Sequence, residues 1–299
     1  MSEEADIARL MGHPDFARAA GHLAQGFSVL KDLEPRISSL FGAQQRWLLC
    51  HLAVAKCFER PLPAAPSVSR LDLINAGLRH RLASRNTIVA FISEALQYGI
   101  IEVVEGASSS RNFRVGLTPK ALYLLTGWYL LHLGALDILD GGDRAMRFGA
   151  ASEAGLRAMA PVVAEGLLNS PAIADPAPAY ALFAWMDEGG NLMDRLIAGI
   201  DPAADPGAER VATNVSSISA LSDSLAVSRT HAGRMIAEAE AQGSLGWSGR
   251  RGRSSIWLSG AFRDAYARAQ AAKLVIVGRA WQALDRVAPA VALAGSDHF

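Results

Sequence analysis

The chain is poor in the residue types that usually announce chemistry. Among its 299 residues are only two cysteines, Cys50 and Cys57. On one helix their Cα atoms would stand about 10 Å apart at a rise of 1.5 Å per residue, too far for a disulfide. They read as reduced core thiols. No hydrophobic run reaches the roughly 20 residues a membrane-spanning helix needs. The most apolar stretch, Ala121 to Leu136, contains His132 and stops at Asp137, so a buried or interface helix is expected.

Catalytic signatures are missing as well. There is no glycine-rich phosphate loop, no His-Glu-x-x-His, no Cys-x-x-Cys and no Gly-x-Ser-x-Gly. An enzyme is therefore not expected, and no catalytic residue, cofactor or metal site is nominated. Asp137, Asp140 and Asp143 around Gly141-Gly142 read as an interhelical turn rather than a cation site. Glu3, Glu4 and Asp6 give the first ten residues the wrong sign for a secretory or mitochondrial leader, which points to the cytoplasm.

Net charge is also absent, with 29 basic and 29 acidic residues, but the balance is not local. Residues 28–120 carry +5 and residues 225–286 carry +6, whereas 121–224 carry −8. Local patches set the field that a phosphate backbone meets, so a zero sum does not exclude a nucleic-acid partner.

What is present is a repeat. Ser84-Arg85 and Ser228-Arg229 lie 144 positions apart, and each pair opens a helix-length segment ending at a glycine, Gly99 or Gly243. Within them Ile88, Phe91, Ile92 and Ala95 recur as Ala232, Met235, Ile236 and Ala239, the apolar stripe of an amphipathic helix. At the same offset Leu48, Leu49, Leu52 and Ala53 fall on Leu192, Met193, Leu196 and Ile197, and proline-rich loops follow both. At roughly 150 residues per domain the length suits two domains, 1–145 and 146–299, and 51% hydrophobic residues can give each a core.

In each half the pattern predicts a helix, a second short helix, a turn, the serine-capped helix and a two-stranded hairpin. The second short helix is expected over Asn214 to Leu225 and over Arg70 to Ala76. Gly77 and Arg81 replace Leu221 and Leu225, implying a longer turn in the first half. The hairpin tips are Glu105 to Asn112 and Ser248 to Ser254, and the return strands end in Leu117-Thr118 and Leu258-Ser259. Long helices close the halves, Pro119 to Leu139 and Phe262 to Val287, and others open them, Asp15 to Leu30 and Glu153 to Leu168.

This order, with Leu221-Ser222-Asp223-Ser224-Leu225-Ala226-Val227-Ser228-Arg229, resembles the winged helix-turn-helix family. The flanking helices and basic hairpin are most similar to the MarR-type regulators. The resemblance implies a mainly α fold with small β-hairpin wings, here a duplicated winged helix-turn-helix. Its halves would form a pseudo-two-fold pair with terminal helices packed together. It also implies double-stranded DNA as partner and transcriptional regulation as function.

The N-terminal part of a recognition helix reaches base edges in the major groove while other groups hold phosphates. Off the apolar stripe stand Arg85, Asn86 and Thr87 in one half and Arg229, Thr230, His231 and Arg234 in the other. The wing residues are Arg250, Arg251 and Arg253, which glycines let approach phosphates, and more sparsely Arg111 and Arg114. Because the two recognition segments differ, the half-sites are expected to differ, and the first half to bind more weakly. The chain is expected to act as a monomeric pseudo-dimer or a homodimer.

The aromatics Trp128 and Trp185 with His132 mark where a small-molecule effector is expected, although core packing explains them equally. Winged helices also serve as protein-binding modules, as in chromosome-segregation complexes. That alternative requires no direct DNA contact.

Overall fold

The computed structural model describes residues 2–60, 64–105 and 113–294. Four helices come first, α1 (Glu3–Met11), α2 (Phe16–Leu33), α3 (Pro35–Leu40) and α4 (Gln44–Phe58). After them come β1 (Ser67–Ser69), α5 (Arg70–Arg79), α6 (Arg85–Gln97), β2 (Ile101–Glu105), β3 (Arg114–Leu117) and α7 (Pro119–Asp140). The middle is helical, with α8 (Arg144–Asn169), α9 (Pro171–Ala174), α10 (Pro178–Ala184) and α11 (Gly189–Ala198). Last come β4 (Arg210–Ala212), α12 (Ile218–Leu225), α13 (Arg229–Ala241), β5 (Leu245–Trp247), β6 (Ile256–Ser259) and α14 (Gly260–Ala294). The chain is mainly helical with two small antiparallel sheets, ordered β1-β3-β2 and β4-β6-β5.

One order of elements therefore occurs twice, and the correspondence reaches individual hydrogen bonds. Helices α6 and α13 are each 13 residues long, and Ser84 and Ser228 cap them by accepting from the amides of Thr87 and His231. Such a cap satisfies one of the amides left over at a helix start and contributes about 1 kcal/mol. Past each helix Gly99 and Gly243 take φ of 64° and 69°, the left-handed turn that glycine adopts without strain. Ile101 then pairs with Leu117, and Leu245 with Leu258. At the strand exits, Thr118 and Ser259 accept from the amides of Ala121 and Phe262 to start α7 and α14.

Two details depart from the sequence expectation. The sheets have three strands each rather than two, because β1 and β4 pair with β3 and β6. A three-residue strand has almost no periodicity of its own and forms because a neighbouring strand offers an unpaired edge. The helix expected from Asn214 begins only at Ile218, where Ser217 accepts from the Ala220 amide. The Asn214 carboxamide oxygen instead accepts from Arg195 at 3.0 Å.

The turn of the first half is the longer one, as its sequence implied. Arg81 and Ala226 both hold left-handed backbone at φ 54° and 57°. The amides of the next residues, Leu82 and Val227, donate back to the carbonyls of Gly77 and Ser222. Two residues, Leu82 and Ala83, then precede the capping serine in the first half, against Val227 alone in the second. Gly77 has a packing role: a Cβ there would come within 2.8 Å of Ile88 and 3.2 Å of Leu49.

The chain divides into two compact units that are not the two sequence halves. Residues 1–47 group with 171–272, and residues 48–170 group with 273–299, so the segments alternate whereas the division at 145 follows sequence order.

In the unit containing α13, Leu192, Leu196, Leu221, Leu225, Met235, Ile236, Leu258 and Phe262 form the core with Ala24 of α2. The N-terminal arm is tied in by Lys31, 4% exposed, whose ammonium donates to Glu188 and Ser39, both at 2.8 Å, and to the Pro35 carbonyl at 3.1 Å. Glu188 also accepts from Asn191 at 2.7 Å, so the buried charge is compensated on every side.

In the unit containing α6, α7 packs along α8, and the Tyr129 ring stacks on Phe148 at 5.3 Å. Among the described residues α7 alone is long and apolar enough to cross a membrane, yet Tyr129, His132, Leu133 and Ala135 on it are fully buried in the protein. Desolvation pushes the thiols of half-buried Cys50 and buried Cys57 up to about 12. The acidic run is internally matched. Asp137 caps α8 through the amides of Arg144 and Ala145, and the Arg144 guanidinium bridges Asp137 and Asp140 at 2.9 and 2.5 Å.

Candidate nucleic-acid interface

Apolar positions on α13 face inward because Ala232, Met235, Ile236 and Ala239 are fully buried, which leaves Arg229, Thr230 and Arg234 exposed. His231 is half-buried, and its ring links two groups. Nδ1 accepts from the Arg234 guanidinium at 3.0 Å, and Nε2 lies 3.5 Å from the Asp187 carbonyl oxygen. His231 thus steadies Arg234, a role that its place in the sequence did not reveal.

The hairpin between β5 and β6 is closed by a tight network. The Ser248 amide donates to Ser255, Arg253 to Arg250, and Gly249 to the Ser254 hydroxyl, while Gly252 takes φ 73°. Arg250, Arg251 and Arg253 all project into solvent. Arg251 also meets Glu240 near the end of α13 at 3.3 Å, tying the tip to the helix it accompanies. Exposed pairs of this kind contribute only about 0–1 kcal/mol. The pair orders the tip without removing the positive charge of Arg250 and Arg253.

The first half is built alike but equipped differently. Arg85 and Asn86 are exposed at the start of α6. Thr87 turns its hydroxyl back to the Ser84 hydroxyl at 2.9 Å, and the Ser93 hydroxyl bonds the Val89 carbonyl. Arg114 is engaged in the sheet, donating to the Ser67 carbonyl at 2.7 Å and to its hydroxyl at 3.3 Å. Arg111 lies outside the described residues.

A basic group that the sequence reading missed appears at the turn between α5 and α6, where Arg79, His80 and Arg81 are all exposed. The signal was three consecutive basic residues. It was hidden because the first-half helix was expected to end at Ala76, which left them in no defined element.

The effector residues are not gathered at one place within a unit. Trp128 and His132 belong to the unit with α6, where their rings lie 3.8 Å apart and His132 Nδ1 is 2.8 Å from the Trp128 carbonyl. Trp185 belongs to the other unit and is 53% exposed. Among the described residues no cluster of three or more His, Cys, Asp or Glu side chains is arranged to hold a metal ion. Comparison with protein-family models, curated proteins and solved structures returned no match to the chain.

Proposed function

We propose that the protein is a cytoplasmic double-stranded DNA-binding transcriptional regulator made of two tandem winged helix-turn-helix modules, MarR-like in its flanking helices. The observation that carries this reading is the second module. An outward basic face on α13 stands beside an arginine-bearing hairpin tied to that same helix through Arg251 and Glu240. The helix-strand-helix-helix-strand-strand order and the β4-β6-β5 sheet support the winged-helix assignment. With both modules on one chain, a single molecule carries the two readers that a homodimer would supply from two copies. Their different residues, Arg85-Asn86-Thr87 and Arg229-Thr230-His231, suit an asymmetric site.

In this reading α13 enters the major groove, Arg229 and Arg234 face base edges and Arg250 and Arg253 lie against phosphates. A bidentate arginine-guanine contact is worth about 1–3 kcal/mol of discrimination. The packing of the half-buried Trp128 ring on the buried His132 is explained by the fold as well as by a small-molecule effector bound there.

Gel shifts of wild type and of the variant Arg234→Ala/Arg251→Ala/Arg253→Ala, at two salt concentrations, test the proposal. The triple variant is expected to lose at least tenfold in affinity and to show a weaker salt dependence. Equal affinity would refute the reading. A wild type that retains no duplex but co-purifies with a protein partner would establish the interaction-module alternative.

A further inference from the structure

We infer that the first module grips the sugar-phosphate backbone of duplex DNA through the turn between α5 and α6, independently of base sequence. The inference rests on the DNA reading above and gives the first module, beside its reading helix, a contact that the second lacks. Arg79, His80 and Arg81 stand consecutively and exposed at this turn, and Arg85 opens α6 just beyond it. When the two turns are matched at their left-handed residues, Ser224, Leu225 and Ala226 occupy the same places in the second module, and Leu225 is buried. Turn geometry therefore does not demand a basic triplet. Arg81 even keeps left-handed backbone at φ 54°, a conformation that costs a non-glycine residue about 1–2 kcal/mol, while its side chain remains in solvent.

The chemistry presented is that of a phosphodiester clamp. Guanidinium groups bind phosphate oxygens by charge-assisted, often bidentate hydrogen bonds. They flank the start of α6, where the Thr87 amide is taken by Ser84 but the amides of the first helical residues have no acceptor within the helix. The acids of these two helices are remote from the turn: Asp72 is in the first turn of α5, bonded to Ser69, and Glu94 lies more than two turns along α6. The groups placed to read bases lie past the turn on α6, where Arg85 and Asn86 are exposed and the Thr87 and Ser93 hydroxyls bond within their own helix. The turn itself, with only guanidinium and imidazole groups to offer, holds a duplex without discriminating among sequences.

The test uses the full chain and synthetic duplexes, one drawn from a selected pool and one scrambled, titrated over salt. The variant Arg79→Ala/Arg81→Gly removes the two arginine charges of the turn and leaves Arg85 on α6 in place, and glycine at 81 keeps the left-handed turn without strain. Each lost phosphate contact lowers the slope of log K against log salt by about 0.9, so about 1.8 in all. Between about 50 and 200 mM salt the variant should therefore lose roughly 12-fold less affinity than wild type. The ratio of selected to scrambled binding should stay unchanged, and the variant with lysine at the two positions should restore the slope.

An unchanged slope, or a collapse of the selected-to-scrambled ratio, overturns the inference while leaving the DNA reading standing. Wild type that binds no duplex overturns both. Capture of phosphatidylserine vesicles that the variant loses, with duplex binding unaltered, overturns it in favour of a membrane headgroup.

Discussion

The first and second modules share a frame so closely that their differences can be read position by position. Both have a serine-capped helix of 13 residues, a left-handed glycine after it and a three-stranded sheet. What differs is where positive charge sits and what braces the frame. In the second module charge lies on α13 and the hairpin tip; in the first it gathers at the turn. A frame held by backbone hydrogen bonds and apolar stripes leaves the exposed positions free to vary, and there the two modules differ.

Bracing gives the largest expected effect. Lys31→Ala leaves Glu188 buried without its cation and should destabilise the unit around α13 by about 3–5 kcal/mol. Hydrogen exchange read separately over α13 and α6 would show protection falling first in α13. The double variant Lys31→Met/Glu188→Gln, which buries no charge, should recover part of the loss. Equal loss over both helices would break the claimed asymmetry.

Acid should act on the other module. His51, 4% exposed, is pushed down to about 3 by burial, with the Lys273 charge adding to the effect, and the matching position in the second half is Arg195. Its folded pKa lies below the unfolded value near 6.5, so the unfolded chain takes up the proton first. Stability is therefore intact above pH 6.5 and is lost as pH falls toward 3. At pH 5 the loss should be about 2 kcal/mol, felt at α6 and α7. His51→Gln should flatten this part of the pH profile, and an unaltered profile would remove His51 as the cause.

The smallest difference concerns the caps, where the modules should behave alike. Ser84→Ala and Ser228→Ala should each cost about 1 kcal/mol by thermal or urea melting, since each serine satisfies one helix amide in the same geometry. A twofold disparity between them would mean that the shared frame is less equivalent than its hydrogen bonds suggest.

By itself the sequence determined the repeat, the two capped helices with their buried stripes, the glycine stops and the outward Arg229 and Arg234. All of these depend on residues within a few turns of one another, so period and capping chemistry reveal them. The third strands, the tie of Arg251 to Glu240 and the use of Arg114 within the sheet were decided by tertiary structure. So was the grouping of residues 1–47 with 171–272. The physical reason is range: a three-residue strand needs a partner's open edge, and a buried lysine needs a carboxylate 157 positions away. Neither requirement leaves a local trace in the chain.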